Sequence, residues 1–177
     1  LKNTSDKNIF ITKVMSAALD LPDDGYELLS LHGSWARERR MEFRKIGYGK
    51  QSVGSIKGKS SHQEHPFIAL VDNGSSQNTG HVYGFCFVYS GNFLAQVDKN
   101  QFDSLRVLMG IHPENFEWKL ESGEEFQAPE MVMTYSASGL GTMTRNLHDL
   151  YREHLIRSPY KDKKRPILIN NWEATYF

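Results

Sequence analysis

The sequence of 177 residues carries 21 Lys plus Arg against 21 Asp plus Glu, and 12% of its residues are aromatic. That length suits one domain or slightly more, and the balanced charge excludes the basic footprint of a protein built for nucleic acid or for an anionic membrane surface. A neutral partner fits better, and the aromatic content suits a dense β core or a surface that stacks on sugar rings.

Cys86 is the single cysteine, so an internal disulfide and a cysteine-stapled secreted fold are excluded and a reducing cytoplasm is expected. No apolar run approaches the roughly 20 residues of a membrane span. The first ten residues also lack the basic-then-apolar order of a signal peptide.

In chain order, most of the sequence reads as short strands divided by turn chemistry, the rhythm of a sandwich or barrel rather than of βαβ units. Strands are expected at 9–15, 26–32, 41–46, 52–58, 67–72, 81–90, 93–99, 104–111, 116–120 and 130–136. The segment 73–80, Asn-Gly-Ser-Ser-Gln-Asn-Thr-Gly, reads as an exposed, mobile polar loop. The strand after it is apolar on both faces, with Val82, Cys86 and Val88 alternating with Tyr83, Phe85, Phe87 and Tyr89. It is expected to lie centrally between two layers. Ser90-Gly-Asn92 reads as a tight hairpin into 93–97, with a positive φ at Gly91 or Asn92.

Between Gly139 and Arg157 the rhythm changes. Leu140, Met143, Leu147, Leu150, Tyr151 and Leu155 recur at three- and four-residue spacing and predict an amphipathic helix. It is expected to stop at Ser158-Pro159, because proline disfavours an α conformation in the residue before it. A charged connector, 159–165, precedes Pro166-Ile-Leu-Ile-Asn-Asn-Trp172, which reads as a buried strand. A strand of that kind has no partners in the sequence after it, so both ends of the chain are expected to be cuts.

Several phrases in this order resemble the region before the catalytic barrel of bacterial glycoside hydrolase family 36 α-galactosidases. They are Gly33-Ser-Trp-Ala-Arg-Glu-Arg39, Ser60-Ser-His-Gln63 with Pro66-Phe67, Val82-Tyr-Gly-Phe85, Tyr89-Ser-Gly-Asn-Phe-Leu-Ala95, Ala128-Pro-Glu130, Leu150-Tyr-Arg152 with His154, and Ile169-Asn-Asn-Trp-Glu-Ala174. The resemblance runs from about Tyr26 onward. It implies a mainly β chain, part of a galactose-mutarotase-like β-supersandwich, with one C-terminal amphipathic helix leading to the first strand of a (β/α)8 barrel. The implied division is a sandwich portion at 1–138 lacking its early strands, a helix at 139–158, a linker at 159–165 and the start of a barrel at 166–177.

The family hydrolyses terminal α-galactosyl residues of melibiose, raffinose and related oligosaccharides by a retaining route through two aspartates. Paired carboxyls about 5–5.5 Å apart are the general requirement of that route. Both aspartates belong to later barrel strands, so no catalytic residue is assigned here and the chain alone is expected to be inactive. Trp172 is similar to a tryptophan at the C-terminal end of the family's first barrel strand, the face where barrel sites assemble, which implies packing against galactose. The plainer reading is an indole filling the barrel rim. Asn170 and Asn171 could bond sugar hydroxyls or satisfy backbone groups. The resemblance implies no cofactor, no metal, no nucleic acid and no membrane, and a homo-tetrameric parent.

Other residues read more simply. His62, Glu64 and His65 lack the ligand number and spacing of a zinc site and read as loop hydrogen bonders. Trp35, with Arg37, Glu38 and Arg39, could line a sugar groove but is expected to plug the core beneath ion pairs. Trp118 alternates with Phe116 and Leu120 and is expected in the core. His148 and His154 read as local bonders on or beside the helix, and Cys86 as a small apolar group within its strand. Two further functions stay open: a free-standing carbohydrate-binding module, and an aldose mutarotase using His62, His65 and Glu130.

Overall fold

A computed structural model describes residues 1–171. The chain divides into two units, Leu1–Met143 and Thr144–Phe177. Eleven strands are described: β1 (Ile9–Ile11), β2 (Met15–Pro22), β3 (Glu27–Ser34), β4 (Arg37–Lys45), β5 (Gly49–Ser55), β6 (Glu64–Val71), β7 (Val82–Val88), β8 (Phe93–Lys99), β9 (Ser104–Ile111), β10 (Trp118–Leu120) and β11 (Glu130–Ser136). Helix α1 (Gly139–Leu150) and a π-helical turn (Tyr151–Leu155) follow.

The strands form an antiparallel five-stranded sheet, β11-β7-β6-β3-β4, a four-stranded sheet, β2-β9-β8-β5, and a β1-β10 ribbon. The core lies where Leu28, Ile68, Leu70, Phe85 and Phe87 of the first sheet meet Val53, Phe93, Val97, Leu105, Val107 and Met109 of the second. β8 and β9 alternate as period two demands: Phe93, Ala95 and Val97 point in, while Leu94, Gln96 and Asp98 take the outer face.

β7 has the position its sequence called for, with β6 and β11 bonded on either side. Its inward face carries Phe85 and Phe87. On the opposite face Gly84 leaves room for Met143 of α1, since a Cβ there would stand 3.1 Å from the Met143 Cγ and Sδ. Leu29, Ala69, Val71 and Val82 are buried outside the inter-sheet cluster, which explains why this sheet is apolar on both sides.

The hairpin expected at 90–92 does not form. β7 and β8 lie in different sheets, so Ser90-Gly-Asn92 is an arch that crosses the sandwich, and neither Gly91 nor Asn92 has a positive φ. Gly91 answers to space instead: a Cβ would sit 2.7 Å from the Tyr89 ring. The polar loop after β6 is exposed, but it is extensively bonded. Leu140 N and Gly141 N donate to the Ser76 and Gln77 carbonyls at 2.9 Å each, which satisfies donors that the first turn of α1 cannot satisfy itself.

Three strands differ from expectation. β2 was not anticipated at 16–22, where Ser16, Ala17, Ala18 and Asp20 dilute the apolar signal; only Leu19 and Leu21 pack against the core. β4 begins at Arg37 within a run of charges, because it is an edge strand whose outer positions meet water. Trp118 sits in the short β10 ribbon with 49% of its surface exposed rather than in the core, its indole edge-on to Phe126 at 5.4 Å between ring centroids.

In the second unit, Ile156 N donates to Tyr151 O at 2.9 Å, closing the π turn ahead of Ser158-Pro159. The segment expected as a buried strand has no strand pairing through Asn171, and Ile167, Leu168 and Ile169 are 93%, 91% and 82% exposed. A parallel strand is buried by neighbouring strands on its edges and by helices on its faces; among the described residues nothing supplies either.

Candidate functional site

On the sandwich unit an open, shallow cleft of about 830 Å3 is lined by Glu38, Arg39, Lys59, Ser60, Ser61, His62, His65 and Pro66. Its walls come from segments some twenty residues apart that the β3–β4 hairpin and the β3–β6 pairing bring together, with His32 opposite both Arg40 and Glu64. Gly33 N donates to Gln63 O at 3.2 Å and ties the hairpin, close to its tip, to the opposite wall. At the hairpin tip Ala36 has φ 61° and its N–H donates to Glu38 Oε1 at 3.0 Å.

Trp35 at this tip is 80% exposed. The expectation of a core plug is therefore wrong: a two-residue tip stands beyond the last bonded pair of the hairpin, Ser34 with Arg37, and has no second layer above it. Its neighbours Arg37, Glu38 and Arg39 are exposed with it.

The other wall is equally tied. Ser60 N donates to Ser90 O at 2.9 Å, Gly58 N to Asn92 Oδ1 at 2.6 Å, and Gln63 N to Ser61 Oγ at 3.2 Å. Glu64 opens β6 rather than lying in a loop, and its Oε2 accepts from Gly54 N of β5 at 2.7 Å, a link between the two sheets. Burial lowers the pKa of His65, and the positive charge of Arg39 lowers it further, so its imidazole is neutral near pH 7. Among the described residues no group of three or more His, Cys, Asp and Glu is arranged to hold a metal ion.

The remaining candidates are dispersed. Glu130 starts edge strand β11 opposite Val88 and does not line the cleft that holds His62 and His65, so the three do not make one acid–base site. Cys86 is half-buried in β7. His148 and His154 are exposed, on α1 and on the π turn. Asn170 and Asn171 are exposed in irregular structure. Trp172 lies outside the described residues. The cleft itself pairs two groups that the sequence presents separately, the charged hairpin and the Ser-His segment; only sheet register joins them.

No helix among the described residues is long and apolar enough to cross a membrane. A model of the glycosyl hydrolase family 36 N-terminal domain matches residues 1–121, and a melibiase model matches residues 125–177. The chain is 49% identical over 176 residues to α-galactosidase AgaA of Geobacillus stearothermophilus, covering 99% of this chain and 24% of that protein. It is 44% identical over 175 residues to α-galactosidase Mel36A of Lactobacillus acidophilus, again covering 99% and 24%. The crystal structure of AgaA superposes with a TM-score of 0.94 over 99% of this chain and 24% of that one. AgaA variants have been solved in complex with stachyose and with raffinose. The chain spans about a quarter of the length of the curated relatives it matches. With a family model over more than half its residues and the same β architecture in solved relatives, the chain belongs to glycosyl hydrolase family 36 and carries that family's N-terminal domain.

Proposed function

We propose that this chain is the non-catalytic N-terminal sandwich portion of an α-galactosidase that removes terminal α-galactosyl groups from melibiose, raffinose and related oligosaccharides. The observation that carries the reading is the end-to-end match of two family models, the N-terminal domain and then melibiase, across one chain that spans a quarter of its relatives. The chemistry is a retaining double displacement between two carboxyls of the barrel, and the residues described here supply neither of them.

Within that reading the chain divides into a sandwich at 1–138, a crossing helix at 139–158, a linker at 159–165 and the opening of the barrel at 166–177. Trp172 faces galactose from the first barrel strand, with Asn170 and Asn171 bonding sugar hydroxyls beside it. The parent is a cytoplasmic homo-tetramer. The lone Cys86 supports the reducing compartment, and exposed Trp35, Met41 and Phe43 on the β3–β4 hairpin support a partner surface.

The test compares the chain with its whole protein. Raffinose hydrolysis followed by NMR is expected to give α-galactose as first product from the whole protein and no release from the 177-residue chain. In the whole protein Trp172→Ala is expected to lower kcat/KM at least about tenfold. Release of β-galactose first, or an undiminished Trp172→Ala variant, contradicts the mechanism or the residue assignment respectively.

A further inference from the structure

Strand β4 ends the five-stranded sheet, and among the described residues no strand pairs with its outer edge. The N–H and C=O groups along such an edge are a template for a further strand. Two features of the side chains show that water covers this edge poorly. On the outer face Met41 and Phe43 are 56% and 41% exposed, although Phe43 continues the apolar row through Leu29, Ala69 and Gly84. On the inner face Arg44 has buried Nε and Nη2 atoms with no hydrogen-bond partner, while the side chain of Glu42, two residues away, is more than half exposed.

A second copy of the chain answers both features at once. When a sheet continues from β4 into the β4 of a copy, across a two-fold axis normal to the sheet, the strands run antiparallel and opposed residues share a face. Centred on Phe43, that pairing sets Phe43 against its own counterpart and Met41 against Lys45 on the outer face, and Glu42 against Arg44 on the inner face, once on each side of the axis. The guanidinium, turned outward across the edge, meets a carboxylate with the two nitrogens that lack partners.

Neighbouring registers fail. Centring on Glu42 or on Arg44 opposes like charges at the axis, which is destabilising. Centring on Met41 opposes Arg40 to Glu42 but leaves Arg44 facing Glu38, beyond Arg39, where a φ of 59° and a shift of register against β3 interrupt the extended run.

We propose that β4 is an isologous interface at which two copies of this protein pair antiparallel about Phe43 and join their five-stranded sheets. The inference rests on the homo-oligomeric parent proposed above and deepens it by naming the surface and the register. In a lone copy Arg44 weighs against stability; in the pair it selects the partner.

The test uses the whole protein. Phe43→Cys places thiols on opposed residues whose Cα atoms stand roughly 4.5–5.5 Å apart, within the span of a disulfide. Copper-catalysed oxidation is expected to give crosslinked dimers on a non-reducing gel, above the wild-type background. Met41→Cys alone is expected to give none, because its counterpart lies roughly 13 Å or more away along the strands; mixed with Lys45→Cys, its opposed residue, it is expected to crosslink. Adding Glu42→Arg or Arg44→Glu to Phe43→Cys is expected to slow crosslinking at least about tenfold. Mixing those two proteins restores it, since opposite charges then face each other at both places, and a charge pair within one copy gives no such rescue. No dimer from Phe43→Cys, a dimer from Met41→Cys alone, or no recovery in the mixture overturns the proposal. Light scattering separates it from the reading it deepens: an oligomer that gives no crosslink keeps the assembly and removes β4 from it, whereas a monomer removes both.

Discussion

The two sheets of the sandwich share one core but treat their outer faces differently. On the four-stranded sheet Leu94, Gln96, Asp98 and Arg106 alternate with buried residues, and Arg106 pairs with Asp20 across β2 and β9 at 2.7 Å in water. On the five-stranded sheet the outer row through Phe43, Leu29, Ala69 and Gly84 is apolar, and Met143 packs onto Gly84. A sheet with one wet face writes its pleat into the sequence; a sheet covered on both faces writes only a run of apolar residues.

The largest expected effect comes from placing the same polar group on each outer face. Leu29 is 2% exposed, so Leu29→Asn loses its packing and buries an amide without partners, a cost of about 3 kcal/mol or more. Leu108→Asn, half-buried on the outer face of β9, is expected to cost below about 1 kcal/mol. Urea unfolding measures both, and equal costs remove the distinction between the faces. Next in size is Gly84→Ala, whose methyl meets Met143 and the Thr134 Cγ2 at 3.1 Å. Overpacking of this kind costs about 1–3 kcal/mol. Met143→Ala in the same chain is expected to recover part of it, read as a coupling in a double-mutant cycle; strict additivity means α1 does not press on that glycine.

Edge strand β4 gives a change of opposite sign. Arg44 lies opposite Leu28, on the inward face, with Nε and Nη2 buried and without hydrogen-bond partners. Guanidinium nitrogens taken from water with nothing in return destabilise the fold, so Arg44→Met is expected to raise stability by about 1 kcal/mol. A lower midpoint in thermal unfolding shows that the arginine holds the edge in place.

The same contrast explains what could be read from the sequence. β8 and β9 have the bounds expected from their alternation, and β7 was legible as a strand covered on both faces because Tyr83, Phe85 and Phe87 oppose Val82, Cys86 and Val88. Its connection to β8 was not legible, since Ser-Gly-Asn composition serves an arch between sheets as well as a hairpin within one. The first half of β4 was hidden by its charges and β2 by small residues, both at sheet edges where burial is slight. The cleft escaped for another reason: Arg39 and His65 meet through pairing across 26 positions, and no local pattern encodes that. Trp35 shows the same limit, because an indole at a hairpin tip and one beneath a sheet have the same flanking residues.

The smallest effect belongs to the wet face. The hydrogen bonds from Arg106, aided by its charge, hold the Asp20 carboxyl below the usual carboxylate range despite slight opposing desolvation. A depressed folded pKa gives stability that is present above the unfolded value of about 3.9 and is lost as pH falls through the folded value. Both side chains are more than half exposed, so the contribution is small and screened by salt. Asp20→Asn is therefore expected to leave the urea midpoint at pH 7 almost unchanged and to flatten slightly its decline below pH 4, with the difference fading in added salt. A pronounced loss at pH 7 shows that this pair ties β2 to β9 as firmly as the buried contacts do, and the four-stranded sheet then has no face that water alone suffices to cover.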